Sequence, residues 1–134
     1  MVAGLKTAFP NLAGQQFMSL TTFRKSGVGV ATPVWFVDLG ERLIFTTDPG
    51  TGKVKRIRNN GRVTVAPCKF NGTLLGPAAE GQARLLGSDD LDAAKQVFRD
   101  KYGLQFRFFD RLERLRGKTP RIFVEVIPAA PEAD

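Results

Sequence analysis

Short segments of β-prone residues alternate with turn signals along most of the chain, and this pattern restricts the fold more than any other feature. In the second segment, apolar residues and one threonine occupy alternate positions (Val28, Val30, Thr32, Val34 and Phe36), as in a strand that buries one face. The segments are short and mostly sequential. They favour a mostly β fold, a small antiparallel barrel with short helices, over a doubly wound sheet. The expected strands cover residues 17–23, 28–39, 42–47, 62–70, 78–86 and 121–128.

Two stretches between these strands predict helices. In residues 51–60, Val54 and Ile57 lie one turn apart and are expected to face inward, while the cations face outward. In residues 88–102, Ser88 is the expected N-cap, with acidic residues in the first turn and basic residues in the last. The pattern also predicts a further helix over residues 106–116. Pro33 lacks a backbone donor, so we expect an edge or a bulge within the second strand.

Composition limits the chemistry that the chain can perform. The sequence has no histidine, which excludes a Ser-His-Asp triad and the usual zinc and haem ligands. Its one cysteine, Cys68, cannot form an internal disulfide and fits a reducing cytoplasm. No run reaches the roughly 20 apolar residues of a membrane span. We therefore expect a single cytoplasmic domain over residues 1–134, with any redox chemistry supplied by a cofactor.

The net charge of +7 is unevenly distributed. Between Pro49 and Ala79 there are six cations and no acidic residue: Lys53, Lys55, Arg56, Arg58, Arg62 and Lys69. The C-terminal cations, which include Arg121, are interleaved with acidic residues, as on a solvated helix face. A basic barrel that binds nucleic acid is one alternative, but the window from Pro49 to Lys69 lacks the aromatic residues on which bases stack.

The stretch TTDPGTGKVKRIRNN, residues 46–60, predicts an anion site. It is not a P-loop, because Val54 follows Lys53 where a magnesium-binding hydroxyl should stand. Thr46 and Thr47 instead end a strand, and a glycine-containing loop leads into a helix N-terminus, where free N–H groups attract phosphate. Lys53, Lys55 and Arg56 lie in the first turns of this helix. Cations there oppose the helix dipole unless an anion is bound nearby.

An ordered set of short motifs runs through residues 17–127: TTF, PVWF, FTT, KVKRIRNN, VTVAP and EGQA. This set resembles the pyridoxamine 5′-phosphate oxidase-like split-barrel family, in particular the branch that uses the deazaflavin coenzyme F420. The resemblance implies a split β-barrel and a homodimer, with the cofactor in a groove between the subunits. It also implies an oxidoreductase that passes a hydride from the reduced cofactor to a small organic acceptor.

The resemblance also assigns site residues. Thr46, Thr47 and Lys53 match the positions that hold the cofactor phosphate, with Lys55 and Arg56 beside them. The ring system is implied to lie along the second strand, largely on its backbone, at Thr32, Pro33, Val34 and Trp35. Cys68 and Lys69 are implied to line the same groove. Trp35 also fits a core or subunit-interface position, and Cys68 also fits simple packing.

The sequence leaves alternatives for both the cofactor and the activity. FMN shares the tricycle, ribityl chain and phosphate of F420, so an FMN flavoprotein is the main alternative. The surplus of cations favours F420, whose oligoglutamate tail is a polyanion. The C-terminal segment lacks the arginine-rich pattern by which pyridoxamine phosphate oxidases bind their substrate. No side chain is expected to act as acid or base, and Tyr102, placed on a late helix, is not expected to be catalytic.

Overall fold

The computed structural model describes residues 7–87, 90–103, 105, 111–112, 115 and 121–129. After a 3₁₀ turn at Pro10–Leu12, the elements in chain order are β1 (Phe17–Phe23), β2 (Gly29–Asp38), β3 (Leu43–Thr47), α1 (Gly52–Asn59), β4 (Arg62–Cys68), β5 (Ala79–Leu85), α2 (Leu91–Tyr102) and β6 (Ile122–Pro128). All six predicted strands and the first two predicted helices are confirmed, with small shifts at their ends. The Ser88 cap and most of the predicted helix over 106–116 lie outside the described residues.

The described strands close into one antiparallel barrel in the order β1-β2-β3-β6-β5-β4. The first three strands pair sequentially, as predicted. The last strand, β6, closes the barrel because it lies between β3 and β5. No helix in the described part of the chain is long and apolar enough to cross a membrane.

Two hydrophobic clusters follow from the alternation of the strands. One fills the barrel interior and contains Met18, Leu20 and Val65. It also includes Ile57 of α1, which faces inward as its spacing predicted. The second cluster lies outside the barrel, where α2 packs Ala94, Phe98 and Tyr102 against Val37, Ile44 and Phe123. Helix α2 therefore covers the outer faces of β2, β3 and β6 around Val37, Ile44 and Phe123.

Strand β2 changes partner after Trp35. From Gly29 to Trp35 it pairs with β1, whereas from Phe36 to Asp38 it pairs with β3. Pro33 lies in the first part, where the side of β2 that faces β3 is unpaired. The expectation of an edge at Pro33 is confirmed. Beyond the last pair, Phe36 with Phe45, strands β2 and β3 separate and leave a gap in the barrel wall.

Candidate functional site

A pocket of about 290 Å³ occupies the gap between β2 and β3. One wall comes from the end of β3, the start of α1 and the residue before β6. It consists of Thr46, Thr47, Asp48, Thr51, Lys53 and Arg121. The other wall comes from β1, β2 and the loop after β4, and consists of Phe17, Pro33, Val34, Trp35 and Phe70. We call these the polar wall and the aromatic wall.

Buried threonines form the base of the polar wall. The hydroxyl of Thr46 donates to the carbonyl of Ile122 at 3.1 Å, so its proton is already used within the fold. The hydroxyl of Thr47 lies 3.5 Å from that of Thr51, which donates to the Asp48 carbonyl at 3.0 Å. Both β3 threonines are almost fully buried. Because the Thr51 proton is used, Thr47 is the donor in this long contact and can turn to a ligand instead, while Thr46 shapes the wall.

Arg121 is held against the polar wall by several contacts. Its Nε donates to the Thr46 hydroxyl and one terminal nitrogen donates to the Thr46 carbonyl, each at 3.1 Å. The other terminal nitrogen lies 3.6 Å from the carboxylate of Asp48. Only 16% of the Arg121 side chain is exposed. The assignment of Arg121 to a solvated helix face was therefore wrong.

Arg121 reaches the pocket because of the register between β3 and β6, not because of any feature of its local sequence. Thr46 and Thr47 pair with Phe123 and Ile122 at the start of β6, which brings the preceding residue beside the threonines. No local pattern shows which strands will be neighbours, so the sequence alone could not place this arginine at the site.

Positive charge is in excess at the polar wall. Burial lowers the pKa of Lys53, the nearby guanidinium groups of Arg56 and Arg121 lower it further, and the Asp48 carboxylate opposes them. A cation that is both partly desolvated and crowded by like charges is stabilised by an added anion. The polar wall therefore has the electrostatic character of an anion site.

The aromatic wall presents flat apolar surface. Trp35 is half-buried, and its ring stacks on that of Tyr102 with centroids 5.0 Å apart. Phe70 is 74% exposed at the mouth of the pocket. Val34 lines the pocket between Pro33 and Trp35, although its side chain belongs to the barrel core. This arrangement can hold a planar ring system along β2.

Of the predicted site residues, the structure brings six into the pocket lining: Pro33, Val34, Trp35, Thr46, Thr47 and Lys53. It places five elsewhere: Thr32, Lys55, Arg56, Cys68 and Lys69. Thr32 is paired with Leu20 on the inward face of β2, and its hydroxyl is buried with no hydrogen-bond partner among the described residues. The alternation of β2 therefore turns Thr32 away from the pocket.

The other four residues point in different directions. Lys55 is exposed on α1, and Arg56 turns back to donate from Nε to the Thr22 hydroxyl at 2.6 Å. Cys68 is 2% exposed within β4, and burial raises the pKa of its thiol. Lys69 is exposed at the start of the loop after β4. In α1, only one of the three early cations, Lys53, reaches the pocket.

A sheet face lies beside the pocket on the outside of β1, β2 and β4. Small side chains lie on it: Ala31 and Pro33 are exposed, Thr21 and Thr64 are half-buried, and Ser19, Ala66 and Cys68 are buried. At its edge, the loop after β4 exposes Phe70, Leu74 and Leu75. We call the accessible part of this surface, Thr21, Ala31, Pro33 and Thr64 together with the three loop residues, the small-residue face.

An antiparallel barrel that is open between two of its strands, with a cationic wall opposite an aromatic one, defines a split-barrel protein. The chain belongs to the pyridoxamine 5′-phosphate oxidase family, whose model matches residues 6–130. The family resemblance of the sequence motifs is thereby confirmed. A comparison with curated proteins gave no match.

Solved structures share the fold at low sequence identity. The heme storage protein from Vibrio cholerae is 10% identical, covering 88% of this chain and 84% of its own, with a TM-score of 0.66. An FAD-binding protein from Mesorhizobium loti is 16% identical, covering 90% and 84%, with a TM-score of 0.60. An F420 reductase is 20% identical and covers 97% of both chains, with a TM-score of 0.53. At such identities the likeness shows the barrel alone.

Proposed function

We propose that this protein is an oxidoreductase that uses the deazaflavin coenzyme F420 to reduce a small organic acceptor. The observation that carries the proposal is the pairing of the polar wall with the aromatic wall across the gap between β2 and β3. A phosphorylated tricyclic cofactor needs a cationic, hydrogen-bonding site for its phosphate and a flat apolar surface for its rings. The two walls offer both.

The residues of each wall have distinct tasks in this proposal. Lys53 and Arg121 would neutralise the phosphate, and Thr47 would donate a hydrogen bond to it. Trp35 and the backbone of Pro33 and Val34 would orient the rings along β2. When bound, the cofactor supplies the hydride, and the protein contributes orientation and the exclusion of water.

Among the described residues that line the pocket, no acid lies on the aromatic wall. The titratable groups of the lining, Asp48, Lys53 and Arg121, all belong to the polar wall. Behind the aromatic wall, burial raises the pKa of Tyr102 well above its usual range. Its hydroxyl is also within hydrogen-bond distance of two backbone carbonyls, those of Gln16 and Phe36. The proton that accompanies the hydride would therefore come from solvent.

The charge outside the pocket favours F420 over FMN. FMN ends at its phosphate, whereas F420 continues into a chain of carboxylates. Just beyond Lys53, α1 exposes Lys55 and Arg58 to solvent, in a chain of net charge +7. Each exposed pair with a carboxylate would be worth roughly 0–1 kcal/mol and would be screened by salt. These cations would form a track for the tail.

The small-residue face supports a homodimer. The pocket volume, about 290 Å³, lies at the lower limit of the roughly 300–1,000 Å³ of ligand sites. A second copy on the small-residue face would cover Phe70, Leu74 and Leu75 and add a further wall to the pocket. Closed two-fold contacts of this kind are the commonest form of oligomer.

Titration of the protein with FMN, short-tailed F420 and long-tailed F420 at two salt concentrations tests the proposed function. Trp35 is the one tryptophan of the chain, so quenching of its fluorescence reports on binding at the aromatic wall. We expect affinity to rise with tail length at low salt and this gain to fade by about 0.5 M salt, where the Debye length is only a few ångströms. FMN binding should change less with salt.

Two double variants sharpen this test. Lys55→Gln/Arg58→Gln should flatten the dependence on tail length and leave FMN binding almost unchanged. Lys95→Gln/Arg99→Gln, which removes the same charge from α2, should keep the dependence. If FMN binds most tightly at both salt concentrations and tail length has no effect, the FMN flavoprotein is the correct assignment. Binding of an oligonucleotide, with no response to either cofactor, would favour the basic barrel.

A further inference from the structure

Two residues at the end of α2 take the place of a strand pair where β1 and β2 separate. The last pair of these strands is Phe17 with Trp35, and the next would join Gln16 to Phe36. Instead, the Tyr102 hydroxyl accepts from the Phe36 N–H at 3.0 Å and lies 2.5 Å from the Gln16 carbonyl oxygen. The hydroxyl therefore bridges the two backbone groups that the missing pair would have joined.

Lys101 completes the same connection from the solvent side. Its Nζ donates to the carbonyl of Gln15 at 2.8 Å and to that of Phe36 at 2.7 Å. The ammonium also lies over the Phe36 ring, 3.9 Å from its centroid. We call Lys101 and Tyr102 the α2 clamp, because together they hold the diverging ends of β1 and β2.

The α2 clamp acts directly on the aromatic wall of the pocket. Trp35 is the residue before the clamped Phe36, and its ring stacks on Tyr102 with an interplanar angle of 17°. Tyr102 is thus in contact with both the side chain of Trp35 and the backbone that carries it. On its other side Tyr102 stacks on Phe98, inside the cluster between α2 and the barrel.

We infer that Tyr102 is a positioning residue, which fixes the Trp35 ring as a rigid wall of the pocket and so couples α2 to ligand binding. The inference rests on the proposed function for the identity of the ligand, but not for the geometry of Trp35. A ring held in place before binding loses less freedom when the ligand arrives. Removal of the hydroxyl alone should therefore loosen Trp35 and weaken binding while the fold is retained.

The test compares Tyr102→Phe with Ile44→Val. Tyr102→Phe keeps the ring and removes the hydroxyl, whereas Ile44→Val removes one methyl group from the same cluster. Acrylamide quenching of Trp35 is measured without ligand, and the affinities for FMN and F420 are measured by titration. Loss of a hydrogen bond predicts that Tyr102→Phe weakens cofactor binding roughly 2- to 10-fold. It should also make Trp35 more accessible to acrylamide, and Ile44→Val should change neither quantity.

The results separate this inference from the proposed function. If Tyr102→Phe keeps the parent's Trp35 accessibility, or Ile44→Val alters it equally, the positioning role is wrong. A change at Trp35 without a change in affinity, in a parent that binds, also overturns it. If the parent binds neither cofactor, the proposed function fails, and Trp35 accessibility still decides the inference. Should Tyr102→Phe not fold, Lys101→Met removes the other half of the α2 clamp and is expected to act in the same direction.

Discussion

At the scale of single residues, Lys53 and Lys55 differ in environment although they are two positions apart on α1. Lys53 lines the pocket, and Lys55 is exposed to solvent. Lys53→Ala should weaken cofactor binding by about 1.5–3 kcal/mol, the range for a hydrogen bond to a charged group. Stability should change little, since a cation in the first turn opposes the helix dipole. Isothermal titration checks this, with Lys95→Ala on α2 as the control, because Lys55 belongs to the proposed track for the tail; equal effects would contradict the assignment.

The environment of Lys101 leads to a separate prediction about how stability depends on pH. Burial lowers its pKa from 10.5 to about 8, and the Asp38 carboxylate opposes this shift. Between these two values the unfolded chain binds more protons at Lys101 than the folded protein, so stability should rise with pH across that window. The effect should be absent from Lys101→Met. Urea denaturation at about pH 7.5, 9 and 10.5 measures the difference; a parent that loses stability relative to the variant over this range would refute the prediction.

At the scale of elements, Arg56 connects α1 to the barrel. Its Nε donates to the buried hydroxyl of Thr22 on β1, and its guanidinium lies over Gly52, where an added Cβ would be 2.6 Å from a terminal nitrogen. Arg56 therefore ties the first turn of α1, which carries Lys53, to the barrel. A glycine at position 52 leaves the space that this arrangement needs.

Substitution of Arg56 should consequently act on stability. Arg56→Ala leaves the Thr22 hydroxyl buried without this donor, so we expect a loss of about 1–3 kcal/mol in the free energy of unfolding. Arg58→Ala, on the exposed face of the same helix, should stay within about 0.5 kcal/mol of the parent. Chemical denaturation of both variants measures this contrast. An Arg56→Ala variant as stable as Arg58→Ala would show that the contact does not hold α1.

At the scale of the whole molecule, we predict that two copies of the chain pair through the small-residue face. Ala31 is exposed on it, so Ala31→Glu would place a charge inside the proposed two-fold interface, where it would be desolvated without a partner. The parent should sediment at about twice the chain mass of 14.7 kDa and Ala31→Glu as a monomer. Ala93→Glu makes the same change on the exposed side of α2 and should remain dimeric. A monomeric parent at micromolar concentration would refute the interface.

The sequence by itself determined the elements of this protein. The alternation of apolar and polar residues predicted the six strands, because every second side chain of a half-buried strand faces the core. The spacing of Val54 and Ile57 predicted the inner face of α1. The threonine strand end and the following helix also predicted an anion site, since their chemistry is local. Thr47 and Lys53 could be proposed from these residues alone.

Only the tertiary structure decided how these elements combine. The pairing of β3 with β6 brings Arg121 to Thr46, and the change of partner along β2 opens the gap that forms the pocket. The same packing turns Arg56 toward Thr22. It also places Tyr102, for which the sequence suggested no role at the site, behind the ring of Trp35. These contacts join residues 34 to 75 positions apart or depend on which strands are neighbours. The strand order is the one that buries the apolar faces of all strands and helices together, and a local sequence pattern does not contain this information.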